Sequence, residues 1–193
     1  MKKKVLDLRP TQTSLGLKEV ENKVAKMKRM GAKRLAKYMK VKVVPIVLGP
    51  NKEIYLIDHH HHVRACWELG IKSVHVKVVA DLSQISMHRF WEEMKNKKWV
   101  YELDQFGNRI CGLYLPDNIK GLADDPMRSL AWMVREKGGF KKVDSPFSEF
   151  HWADFFRSYL RNYPRVVGYP ASIKEAMKLC KCGGAESLPG FIG

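Results

Sequence analysis

A chain of 193 residues, 45% hydrophobic and 28% charged, can bury one good core, or one core and a smaller appended lobe. That balance excludes a disordered polymer, and no apolar run approaches the roughly 20 residues that a membrane span needs. The 35 Lys and Arg outnumber the 20 Asp and Glu to give +15, and eleven of those surplus charges fall within residues 1–42. Such a field suits polyanions such as DNA, RNA or nucleotides; the bland alternative is a solvated lysine face.

In chain order, Val5–Leu8 predicts a first strand before Pro10. Leu17, Val20, Val24 and Met27 recur at helical spacing, Gly31 breaks that helix, and Leu35, Ala36 and Met39 suggest a shorter second one. Val43–Leu48 and Glu53–Ile57 are β-rich and joined by a turn-forming set, Gly49 to Lys52. His60 to Leu69 reads as a helix closed by Gly70, and Ser73–Val79 as another strand. After Ala80 the character is helix and loop. Met87, Phe90, Trp91 and Met94 form one apolar stripe, and Asp125-Pro126 is an N-cap followed by proline at the first helical position. Trp152, Phe155, Phe156, Tyr159 and Leu160 form an aromatic stripe on a helix starting near Ser145-Pro146, and Ser172 to Glu175 reads as a capping box for a last helix. The expectation is an α/β (α+β) fold, a small mixed sheet with surrounding helices, over residues 1–80, and a helical C-terminal extension over 81–193.

The four cysteines are irregularly spaced and imply no disulfide framework, so a reduced, cytoplasmic setting fits. Met1–Lys4 resembles the start of an export signal, but Asp7, Arg9 and Pro10 interrupt any apolar core behind it.

The stretch that carries chemistry runs from Glu53 to Gly70, where a β-rich run enters a polar turn, Asp58-His59-His60-His61-His62, and leaves as a helix. Amides at a helix start face outward at the positive end of the dipole, so this is a ready anion site, with Arg64 nearby. Four consecutive histidines point about 100° apart on a helix and cannot converge on one metal; His59 and His62 alone could share an ion with a distant ligand. A third reading leaves the imidazoles as a solvated helix start.

These residues carry a resemblance. Asp58, His60, His61, Ala65, Glu68, Leu69 and Gly70 resemble the Asp-Gly-His-His-Arg-x-x-Ala…Glu-Leu-Gly signature of the ParB/sulfiredoxin superfamily, with His59 in place of its glycine and His62 in place of its arginine. Leu8 to Gln12 resembles the family's first strand and its exit, and Val44 to Val47 the strand before the motif hairpin. Leu115-Pro116, Asp124 to Pro126, Arg128 to Ala131, Glu149 to Phe155 and Leu188 to Gly190 resemble the branch known as putative ParB-like nucleases. The resemblance implies phosphate binding by His59, His60, His61, His62, Arg64 and Gln12, with Asp58 orienting a histidine and His60 or His61 transferring the proton. It implies a nucleotide (ATP, ADP or CTP) with Mg²⁺ as the cofactor to test, and leaves the metal ligands open.

Two further functions stay open: a nucleotide-dependent kinase of a small hydroxyl compound, and a binding module without turnover. Kinase relatives place a carboxylate after the first strand, where this chain has Gln12, which accepts no proton. Lys23, Lys26, Lys33, Arg34 and Lys37 are the expected nucleic-acid contacts, supplying salt-sensitive affinity without base specificity. Asp124-Asp125 could bind magnesium, though capping explains Asp125 better, and His151 with Asp154 at i, i+3 is a second acid–imidazole candidate.

Overall fold

The computed structural model describes residues 1–111, 114–161 and 163–193 and divides into two compact units. The first comprises Met1–Ser14, Lys18–Asp104 and Asn108–Ala123; the second Leu15–Leu17, Gln105–Gly107 and Asp124–Gly193. Residues beyond Asp81 therefore contribute to both.

The first unit is built on strands β1 (Lys2–Lys4) and β2 (Leu8–Pro10), helices α1 (Leu17–Lys28) and α2 (Ala32–Val41), strands β4 (Val44–Leu48) and β5 (Ile54–Leu56), helix α3 (His60–Glu68), strand β6 (Ser73–Asp81) and helix α4 (Met87–Asn96). Its sheet runs β1-β6-β4-β5-β2. It is mixed: β6 is antiparallel to β1 and parallel to β4, while β5 is antiparallel to β4 and parallel to β2. The predicted hairpin is β4–β5, turned by Gly49 to Lys52 with Asn51 and Lys52 at positive φ. The expected first strand at Val5–Leu8 is replaced there by a 3-10 turn, Val5–Asp7, between β1 and β2. That turn buries Val5 while Leu6 stays half exposed, so the apolar run is not a pleated strand. The predicted stripe on α4 is realised: Phe90 and Met94 are fully buried against Val47 and Tyr55, with Trp91 edge-on to Tyr55 at 5.4 Å.

The second unit holds α5 (Pro126–Glu136), α6 (Ser148–Leu160), α7 (Tyr163–Val166) and α8 (Gly168–Leu179), and the chain enters it along two short strands, β3 (Ser14–Leu15) and β7 (Ala123–Asp124). Asp125 caps α5 as the sequence predicts, its Oδ1 accepting the N–H groups of Met127 and Arg128 with Pro126 at the first helical position. Trp152 is the centre of the core, stacked on Phe140 at 4.3 Å and inclined to Phe156 at 5.6 Å, while Tyr159 at the end of the stripe is exposed. Ser172 corrects an expectation: α8 begins a turn earlier, at Gly168, and the Ser172 hydroxyl donates back to the Gly168 carbonyl at 2.7 Å. It lies inside the helix and caps nothing; a serine that back-bonds to the fourth preceding carbonyl mimics the start of a capping box in sequence alone.

The C-terminal segment is held by two bonds, Trp152 Nε1–H to the Pro189 carbonyl at 2.8 Å and Lys141 N–H to the Gly190 carbonyl at 2.8 Å. Gly190 has φ +79, and a Cβ there would stand 2.1 Å from the Lys141 carbonyl oxygen. Gly190→Ala combines a left-handed backbone with a backbone clash, so urea unfolding should show a loss of about 2–4 kcal/mol. An unchanged midpoint would mean that this segment contributes nothing to stability.

Candidate functional site at the start of the third helix

The site is set by a left-handed residue. β5 ends at Leu56, and His59 takes φ 67, ψ 23 as the N-cap of α3. Few side chains adopt this conformation; glycine does so at no cost and histidine is among the more tolerant of the rest. The motif's glycine position therefore needs a left-handed backbone here, and His59 supplies it. Asp58 Oδ1 accepts the His59 N–H at 2.6 Å and its Oδ2 lies 3.4 Å from His59 Nδ1, so Asp58 orients His59. His62 and Val63 both donate to the His59 carbonyl, which puts His60 and His61 in the first turn of α3, at the positive end of the helix.

The histidines then divide by burial. His60 is 4% exposed, and its Nε2 accepts the Thr11 N–H at 3.2 Å, while the Thr11 hydroxyl donates to the Leu56 carbonyl at 2.8 Å. Burial drives this imidazole from its usual 6.5 down to about 4, against the opposing pull of Asp58 and a Leu56 backbone hydrogen bond, with His59 pushing the same way as burial. His60 is thus neutral and spends its acceptor on the exit of β2; a proton-transfer or phosphate role would have to displace that bond. His62 is 1% exposed, edge-on to Tyr38 at 5.6 Å and 3.7 Å from Cys66 Sγ, and its Nδ1 is buried without a partner among the described residues. Burial first, then His59, Lys42 and Lys23, lower it to about 4. Burial also pushes the Cys66 thiol up to about 12, which makes it a packing group and no nucleophile.

His61 differs. Its Nε2 lies 3.5 Å from Glu19 Oε2, and Glu19 Oε1 meets Lys23 Nζ at 3.2 Å. Glu19 is 8% exposed, a buried carboxylate of α1 set against the start of α3. Nothing in the sequence singles out Glu19, because a contact between residues 42 positions apart leaves no local signal.

The other predicted residues lie elsewhere. Arg64 is held by Glu68 at 2.8 Å, by the carbonyls of Ile119, Lys120 and Leu122 at 3.2–3.4 Å, and over the Trp67 ring at 4.8 Å. It clamps the 119–122 segment rather than the turn. Gln12 is buried, donating to the Ser14 carbonyl at 2.6 Å. Lys26, Arg29 and Arg34, with Asn22 and Met30, line a concavity of about 310 Å³ on α1 and α2, while Lys33 and Lys37 are exposed on α2. In the second unit Asp124 caps Leu17 N–H at 3.1 Å, Asp154 is bonded to Arg157, and His151 is exposed. Among the described residues no group of three or more His, Cys, Asp or Glu side chains is placed to hold a metal ion, so the His59–His62 metal reading finds no further ligand.

The family model described as "Putative ParB-like nuclease" matches residues 1–158. The chain belongs to that family. This ParB-like protein is also similar to the crystal structure of protein Atu1540 from Agrobacterium tumefaciens, at 38% identity over 100% of this chain and 96% of that one, with a TM-score of 0.92. None of the curated proteins matches it. The mixed α/β fold expected of a ParB-like chain is thereby shown, and among the described residues no helix is long and apolar enough to cross a membrane.

Proposed function

We propose that this ParB-like protein binds the phosphate backbone of a nucleic acid along α1 and α2, and hydrolyses a phosphodiester at the start of α3. The observation that carries the reading is the Glu19–His61 contact at 3.5 Å, because it joins the basic helix to the start of α3. Between Glu21 and Glu53 there is no acid and there are ten Lys or Arg. Phosphates drawn to that surface by counterion release are led to the positive end of α3. Glu19 beside Nε2 orients the His61 imidazole as the proton-transfer group for an attacking water. A Mg²⁺ ion accompanying a nucleotide or strand would take its remaining ligands from phosphate oxygens and water.

Glu19 also supports the phosphotransfer alternative, since it supplies near the turn the carboxylate that Gln12 does not. Transfer from ATP to a small alcohol, with no cleavage of DNA or RNA, would select that reading. A thermal shift with nucleotide and no turnover would select a binding module.

The test of the binding half is salt dependence. Oligonucleotide affinity should fall linearly on a log–log plot against salt, and the triple variant Lys26→Gln, Arg29→Gln, Arg34→Gln should reduce the slope by about 2–3. Affinity indifferent to salt would sink the phosphate-contact reading.

A further inference from the structure

A second cation-lined cavity lies wholly in the C-terminal unit. Its volume is about 210 Å³, and Arg157, Arg161 and Arg165 line it together with Gln105, Phe106 and Met127. The chain creates it by breaking the helical path. α6 ends at Leu160, the backbone of its C-cap Arg161 turns to φ 46, and α7 runs from Tyr163; three arginines spaced by four residues line one hollow.

The three guanidiniums are not equivalent. Arg157 is committed, with Nη2 on Asp125 Oδ2 at 2.6 Å and Nη1 on Asp154 Oδ1. Asp125 is 1% exposed and also caps α5, so this arginine is fixed from behind by a rigid carboxylate. Arg161 and Arg165 are exposed and have no acidic partner among the described residues. Counting all five charges, the hollow and its supports carry a net +1, and neither carboxylate is among the residues lining it.

The rim carries a flat ring. Gly107 has φ +86 and comes so near Arg157 that a Cβ would meet its Cδ at 3.4 Å, which seats the 105–107 turn on the arginine and leaves Phe106 57% exposed beside the cations. Guanidiniums recognise phosphate oxygens by charge and fork geometry, and an exposed aromatic ring stacks on a base of any sequence. The volume lies below the roughly 300–1,000 Å³ of pockets that enclose a whole drug-sized ligand, so the hollow takes the phosphate end of one nucleotide and leaves the base outside on the rim.

We infer that the Arg157–Arg161–Arg165 cavity is a nucleotide site, in which Arg161 and Arg165 hold a phosphate and Phe106 stacks the base. The shared chemistry is a nucleoside phosphate, either free or as one residue of a single strand. It uses none of the residues proposed above at α1, α2 or α3.

Isothermal titration of the full chain tests it with four probes: adenosine 5′-monophosphate, adenosine, inorganic phosphate, and a 5′-phosphorylated tetraadenylate. The monophosphate should bind more tightly than adenosine or phosphate. Arg161→Gln with Arg165→Gln should weaken it at least tenfold, and Phe106→Ala by several-fold, whereas the charge control Lys174→Gln with Lys181→Gln, two exposed lysines of the same unit outside the cavity, should leave it unchanged. Tighter binding of the tetranucleotide, lost in the same arginine variant, identifies a strand as the ligand; equal or weaker binding identifies a free nucleotide. No heat with either nucleotide, adenosine binding as well as its monophosphate, or affinity insensitive to the arginine variant would overturn the site. Loss of monophosphate binding in Lys26→Gln with Arg34→Gln would overturn it too, by moving the nucleotide to the basic helices.

Discussion

Between pH 6.5 and pH 4 the folded state is expected to lose about 5 kcal/mol of stability through two imidazoles. His60 and His62 are held neutral, each near 4 against a usual 6.5. In that window the unfolded chain binds protons that the folded chain refuses, so stability rises with pH across it. The contribution is complete above 6.5, declines as pH falls, and is gone below 4. A displacement of this size is worth roughly 3 kcal/mol per group, a large share of the 5–15 kcal/mol typical of a domain. Urea unfolding at half-unit pH steps reads it directly. His62→Leu keeps the volume, removes the buried unpartnered Nδ1, and should flatten about half of the pH dependence while costing little at pH 7. A wild-type stability constant from pH 6.5 to 4 would show that neither imidazole is buried in solution as it is here.

The second large effect concerns turnover. With a single-stranded or plasmid substrate and Mg²⁺ or Mn²⁺, His61→Ala should lower the cleavage rate by about 10²–10⁴, the usual weight of a general base. Glu19→Gln removes the charge beside Nε2 and should cost about tenfold while shifting the pH–rate profile, since a positioning carboxylate acts through the imidazole it faces. Circular dichroism would show both variants folded, as neither residue carries the Thr11 bond that ties His60 to the sheet. Cleavage at the wild-type rate in His61→Ala would remove hydrolysis from this turn and leave the binding role alone.

What could be read before the structure follows from how local each interaction is. Asp125-Pro126 was legible because a cap and its helix lie within four residues. The β4–β5 hairpin and the apolar stripe of α4 were legible for the same reason: turn residues and periodicity are properties of short segments. The histidine run was legible as a helix start and no further. Which imidazole is buried depends on what covers it: Thr11 from β2 over His60, Tyr38 from α2 over His62, and Glu19 from α1 against His61. Those covers come from sequence positions 24 to 49 residues away, and nothing in four identical letters distinguishes them. Arg64 looked like a phosphate ligand because it follows the turn, but it lies two residues past the motif's arginine position, and that rotation of roughly 200° around the helix takes it to the 119–122 carbonyls instead.

The Thr11–His60 bond has a mechanical consequence. It fastens the end of an edge strand to the first turn of α3, so the N-terminal segment and the helix that opens the site share one fixture. Peeling β2 from the edge of the sheet would strand a desolvated imidazole, and the quickest remedy for the chain would be to unwind the opening turn of α3. Damage at residues 8–11 would then be felt at the opening turn of α3, although none of those side chains lies on that helix.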